Sequence, residues 1–95
     1  MINDILNNFK NENYLLIDVR YDFEYEMGHI PGAINLPLNN IIELENLEPS
    51  KDRTILLYCA SGNRSEKALA ILRANGYINA INIGGVGSYK GQLEK

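Results

Sequence analysis

Residues 58–65 read YCASGNRS: an apolar run ends on the chain's one cysteine, and a small-residue turn leads through a glycine and an arginine into a helix-like segment. Those residue types in that order favour sulfur chemistry. A short turn between a strand and a helix curls its peptide N–H groups inward and forms an anion-binding nest. The positive end of the following helix dipole points to the same place. Gly62 admits a positive φ or a close backbone approach inside so tight a turn. Ser65 stands where an N-cap is expected, with Glu66 and Lys67 opening the helix. A Cys59 sulfur held in such a nest ionises more readily than a free thiol, whose pKa is about 8.5. The thiolate is a nucleophile. The amides of residues 60–65 (Ala60, Ser61, Gly62, Asn63, Arg64 and Ser65) would also stabilise a terminal persulfide anion. The competing reading is a packed thiol, since free cysteine is among the most buried residue types. The glycine, the arginine and the helix start favour the reactive reading.

The elements that must position this turn alternate in type. Residues 14–18 (YLLID) read as a buried strand that turns polar at its end, and 22–27 as a short helix closed by Gly28. Residues 33–36 form a brief strand between Pro31-Gly32 and Pro37. Residues 38–47 (LNNIIELENL) fit a helix with Leu38, Ile41, Ile42 and Glu45 on one side, stopped by Pro49. The β-branched and aliphatic run 54–58 (TILLY) is the pattern of a central strand covered on both faces. Residues 65–75 form the clearest helix, with Ala68, Leu69, Ile71 and Leu72 as its stripe and Gly76 at C′. A last strand spans 80–83, ahead of Gly84-Gly85 and a helical tail, and residues 2–10 carry Ile2, Ile5, Leu6 and Phe9 at helical spacing. Strands separated by helix-length segments imply right-handed crossovers and a mostly parallel sheet. Ligands bind beyond the carboxyl ends of such strands, the edge to which Cys59, Asp18 and Gly84-Gly85 belong.

Composition narrows the choice of partner. Ninety-five residues (1–95) make one domain, 45% hydrophobic and 22% charged, as in a soluble globular protein. The longest apolar stretches fall far short of the ~20 residues a membrane-spanning helix needs, and the polar opening MINDILNNFKNEN is no signal segment. A cytoplasmic location with no membrane partner is expected. The net charge is −3 and the basic residues are scattered, which argues against nucleic acid. One cysteine cannot make an internal disulfide, and one cysteine with one histidine leaves no zinc cluster.

On these residues the chain resembles the single-domain rhodaneses, a family of sulfurtransferases, over nearly its whole length. Residues 16–20 (LIDVR) with Glu24-Tyr25, residues 28–37 (GHIPGAINLP) and residues 58–65 (YCASGNRS) carry the resemblance in order and spacing. It implies an α/β, rhodanese-like three-layer sandwich, a central mostly parallel sheet of four to five strands with helices on both faces. The short stretch before Tyr14 leaves little room for the family's usual first strand, so four are expected with a fifth open. The resemblance implies a ping-pong reaction with Cys59 as catalytic residue. Cys59 takes a sulfane sulfur from a small donor such as thiosulfate and passes it to a thiol or to cyanide, with no metal or organic cofactor.

The rivals share the loop. A persulfide carrier loaded and unloaded by protein partners would use Cys59 identically; Ala60 and Ser61 bring no charge, whereas thiosulfate-using members often place basic residues there. A cysteine-dependent phosphatase of related fold needs a longer loop than the four residues between Cys59 and Arg64. Arg64 is either the cation for a donor's sulfonate or an outward group paired with a carboxylate. Asp18 and Arg20 could support the loop from the neighbouring strand end; a structural ion pair, with Glu24 as a further partner, is the preferred reading. His29 could serve as a base, but its setting in the GHIPG stretch favours a turn held by hydrogen bonds. Tyr89 stands where the family has a tryptophan and is expected to fill its packing place.

Overall fold

The computed structural model describes residues 2–95. Strands β1 (Tyr14–Asp18), β2 (Ile34–Asn35), β3 (Thr54–Cys59) and β4 (Ala80–Gly85) form one sheet in the order β2-β1-β3-β4. Every pairing is parallel. Helices α1 (Ile2–Asn8), α2 (Asp22–Met27), α3 (Leu44–Leu47) and α4 (Asn63–Ala74) complete the chain, with 3-10 turns at Leu38–Glu43 and Val86–Ser88. Among the described residues no helix is long and apolar enough to cross a membrane.

Strand alternation sends the side chains to two separate cores. Ile17, Val19, Ile55, Leu57 and Cys59 pack with Leu36, Ile41, Leu44, Ala68, Leu69, Leu72 and Tyr77 on one face. Leu16, Leu56, Tyr58 and Ile83 pack with Ile2, Ile5, Leu6, Phe9 and Tyr25 on the other. Residues 55–58 are wholly buried, as expected of a central strand covered on both faces. Tyr89 joins the second core, where the sequence places a large aromatic.

The connections fix where a ligand can sit. The connection after β1 crosses through α2 on the second face; those after β2 and β3 cross on the first, through α3 and α4. Neighbouring β1 and β3 therefore send their chains to opposite faces, and a crevice opens beyond their carboxyl ends. β3 ends there on Cys59.

Two expectations need correction. The stretch 38–47 is not one helix: Leu38–Glu43 is 3-10 and only Leu44–Leu47 is α. Leu38, Ile41 and Leu44 face the core while Ile42 is 53% exposed, so the working stripe repeats every three residues. That is the 3-10 period, and Asn39, Asn40 and two adjacent isoleucines give the α form little intrinsic support. The helix after the loop begins at Asn63, and its cap position is Gly62, so Ser65 lies inside the first turn.

Candidate active site

Cys59 sits at the floor of its loop, 1% exposed. Gly62 adopts φ +97, the left-handed turn expected of it. That turn brings the chain back over the sulfur, which accepts from the Gly62 amide at 3.0 Å and from the Ser65 amide at 3.4 Å. α4 has no side-chain N-cap. Two of the four free N–H groups at its start, those of Gly62 and Ser65, which need an outside acceptor, are turned on the sulfur instead. The Ser65 hydroxyl lies 3.4 Å from Sγ. Burial pushes the Cys59 thiol up, but the Ser65 hydroxyl and the amides of Ser65, Ser61 and Gly62 outweigh it and hold the thiol below its ordinary value. Ala60 and Asn63 are exposed on the rim.

A depressed thiol pKa means more thiolate at any given pH. Alkylation of Cys59 by iodoacetamide is therefore expected to rise with pH around a midpoint below the ~8.5 of free cysteine. Removing the hydroxyl donor in Ser65→Ala should move that midpoint upward. A midpoint at or above the free value in the parent chain would contradict the geometry.

The loop is fastened from two sides. From β4, Asn82 donates Nδ2–H to the Gly62 carbonyl at 3.1 Å and to Glu66 Oε1 at 3.0 Å. Its Oδ1 accepts from the Ser65 hydroxyl at 2.7 Å and from the Gly84 amide at 3.0 Å. The Gly84 contact belongs to an irregularity in the β3–β4 register, where Leu57 pairs with Asn82 but Tyr58 with Gly84. Gly85 pairs with Cys59, and a Cβ there would lie 2.4 Å from the Ala60 carbonyl oxygen. Asn82 does not stand out as a site residue in the sequence, and Gly85 does so only as part of the Gly84-Gly85 pair at the sheet's carboxyl edge. The available signal was a lone asparagine inside an apolar strand, two residues before a glycine, the spacing of an Asx turn.

On the other side α2 meets the loop. Arg64 Nη1 and Nη2 donate to Glu24 Oε1 and Oε2 at 2.7 and 3.0 Å, and the guanidinium lies 5.3 Å from the Tyr21 ring centroid. Hydrogen bonding from Arg64 holds the Glu24 carboxyl below its usual range, and Glu24 in turn raises Arg64. Of the two arrangements open for Arg64, the structure has the carboxylate pair.

Asp18 and Arg20 pair with each other, not with Glu24. Arg20 Nη2 meets Asp18 Oδ2 at 2.7 Å, Nε reaches both carboxylate oxygens at 3.0 Å, and Nη2 also donates to the Gly28 carbonyl at 2.7 Å. Asp18 is wholly buried and faces Tyr58 in register, one residue before the cysteine. The pair braces the strand ends beneath the loop without reaching the sulfur. His29 serves its turn: Nδ1 lies 3.0 Å from the Tyr25 carbonyl, its ring stacks on Tyr25 at 3.7 Å, and its backbone bridges to Glu94.

Comparison with known proteins agrees with this geometry. The family profile described as "Rhodanese-like domain" matches residues 1–92. A sulfurtransferase of Allochromatium vinosum is 40% identical over 74 residues, covering 78% of this chain and 68% of that protein. A tRNA uridine(34) hydroxylase of Buchnera aphidicola is 39% identical over 92 residues, 90% of this chain. The chain spans only 30% of that hydroxylase's length, and 23% of the one from Erwinia tasmaniensis. Among solved structures, a rhodanese with anions from E. coli superposes at TM-score 0.81 with 33% identity, covering 87% of this chain and 99% of that one. A rhodanese-like domain protein from Staphylococcus aureus superposes at 0.82 with 37% identity, covering 96% and 91%. The chain belongs to the rhodanese-like domain family.

Proposed function

We propose that this chain is a sulfurtransferase that moves a sulfane sulfur through a persulfide on Cys59. The observation that carries this reading is the set of donors converging on one sulfur at 3.0–3.4 Å. The Cys59 thiolate attacks the outer sulfur of the donor. A new S–S bond forms, the donor's S–S bond breaks, and the leaving group departs with the electron pair, as sulfite if the donor is thiosulfate. An acceptor thiolate or cyanide then attacks the terminal persulfide sulfur, and Cys59 leaves as the thiolate. The amides of Ser61, Gly62 and Ser65 favour the anionic form in both halves. With Cys59 only 1% exposed, a donor must enter by its terminal sulfur atom. Thiocyanate formation from thiosulfate and cyanide, compared with 3-mercaptopyruvate and with a glutathione persulfide donor, tests the reading. No transfer from any of the three would remove it.

One observation favours a particular class of donor. Arg64 is held by both Glu24 oxygens, and the exposed loop residues Ala60, Ser61 and Asn63 are uncharged. A dianionic donor must therefore compete with Glu24 for that guanidinium, whereas a persulfide delivered by a protein or a small thiol has no sulfonate to place. We infer that persulfides are the better donors, with protein persulfides as partners. Glu24→Gln should release Arg64 and raise kcat/KM for thiosulfate about tenfold, the worth of one charge-assisted hydrogen bond. It should leave persulfide kinetics within about twofold. An equal change for both donors would count against the donor preference.

A further inference from the structure

We propose that Asn82 is a positioning residue for the Cys59 sulfur: its carboxamide oxygen parks the Ser65 hydroxyl proton while the sulfur is neutral and releases it when the sulfur is a thiolate. The proposal deepens the sulfur-transfer reading and rests on it for its purpose.

The orientation of the carboxamide is settled by its partners. Oδ1 faces two donors, the Ser65 hydroxyl and the Gly84 amide. Nδ2 faces two acceptors, the Gly62 carbonyl and Glu66 Oε1. Reversing the group would set a donor against an amide N–H and an oxygen against a carbonyl and a carboxylate. An acceptor therefore lies beside Ser65.

Ser65 is wholly buried, and its hydroxyl has one proton. Three acceptors are within reach: Asn82 Oδ1 at 2.7 Å, the Gly62 carbonyl at 3.1 Å and Cys59 Sγ at 3.4 Å. Asn82 is the nearest. With the sulfur protonated, the short chain runs from Cys59 S–H to Ser65 Oγ and from Ser65 O–H to Asn82 Oδ1, each bond polarising the next. Once the sulfur is a thiolate, the hydroxyl turns to it. Asn82 Oδ1 keeps the Gly84 N–H, so no buried oxygen is orphaned by the turn. In the persulfide the charge moves to the outer sulfur and Sγ is neutral, so the hydroxyl returns to Asn82.

The purpose is balance. A thiolate loses nucleophilicity as its pKa falls, and a hydroxyl fixed permanently on the sulfur would over-stabilise it. Asn82 competes for that proton and so keeps the ionised sulfur nucleophilic. The charged groups around the network are Glu66, bonded to Asn82, and Arg64, paired with Glu24. Asp18 at the end of β1 and Arg20 two residues beyond it lie on the opposite face of the sheet, with Tyr58. These groups are unchanged in every variant below.

The test is a double-mutant cycle read by iodoacetamide alkylation of Cys59 against pH, in the parent, Asn82→Ala, Ser65→Ala and the pair. In the parent background Asn82→Ala should lower the midpoint by about half a pH unit, which gives roughly threefold more thiolate and, after the lost nucleophilicity, about twofold faster alkylation below the midpoint. In the Ser65→Ala background that lowering should be absent, because the hydroxyl it acts through is gone; what remains there is the lost hold on the Gly62 carbonyl, which raises the midpoint. An equal shift in both backgrounds would overturn the proposal, as would no shift or a rise in the parent background. If Asn82→Ala fails to fold, Asn82→Asp replaces it. Asn82→Asp holds the hydroxyl more firmly, so the midpoint should rise more with Ser65 present than absent; an equal rise would overturn the proposal. Alkylation consumes no sulfur donor, so its failure would strike Asn82's role and leave the transfer reaction to its own test.

Discussion

Cys59→Ser is expected to fold like the parent and to transfer no sulfur. Serine is close to cysteine in size, and its oxygen still accepts from the Gly62 and Ser65 amides that now serve the sulfur. The loop keeps its acceptor, and stability should change by less than about 1 kcal/mol. The chemistry does not survive. A serine hydroxyl is not ionised near neutral pH and cannot hold a sulfane sulfur as a persulfide, so thiocyanate formation should fall at least about a thousandfold. Cys59→Ala is the poorer experiment, because it leaves those amides without their acceptor as well as removing the nucleophile. A folded Cys59→Ser protein that still turned over would place the reacting group elsewhere.

The second large effect lies in the backbone. A Cβ on Gly85 would come 2.4 Å from the Ala60 carbonyl oxygen and 2.9 Å from both the Ala60 carbonyl carbon and the Ser61 Cα. All three are main-chain atoms of the loop, so no side chain can swing aside. The strain must go into β4 or into the loop, and the loop is the less supported of the two. Gly85→Ala is therefore expected to cost about 1–3 kcal/mol, the usual range for overpacking. It should also pull the Ser61 and Gly62 amides off the sulfur. The alkylation midpoint should return toward that of an ordinary thiol, and transfer should fall about a hundredfold. Gly87→Ala is the matched control: nothing lies within 4 Å of its added Cβ, and both midpoint and rate should be unchanged. A Gly85→Ala protein with the parent's alkylation profile would show that the loop does not depend on this close approach.

Where the sequence could be read, one element dominated its surroundings. The run TILLY is buried on both faces, so its residues alone identified a central strand. Gly62 was legible because a turn this short needs a positive φ that glycine supplies without strain. The stretch 38–47 failed because its apolar residues match both a 3.6 and a 3.0 period, and packing by Leu38, Ile41 and Leu44 chose the tighter one. Ser65 was misplaced for a more informative reason. A serine near a helix start resembles a cap, but here the helix begins earlier and the sulfur accepts the donors that a cap would satisfy. The Asp18–Arg20 pair, two residues apart, was legible as an ion pair, whereas the pairing of Arg64 with Glu24 depended on which loop and helix meet in space. Asn82 was the least legible, because its role comes from a register irregularity between two strands.

The measurement that bears most directly on the central claim is an intact mass of the reduced protein after incubation with a sulfane donor, before and after adding cyanide. The persulfide mechanism predicts a gain of one sulfur atom that localises to the peptide containing Cys59, is absent in Cys59→Ser, and is lost to cyanide as thiocyanate. A protein that gains no sulfur from thiosulfate, 3-mercaptopyruvate or glutathione persulfide, while its Cys59 still alkylates as a thiolate, would contradict the claim.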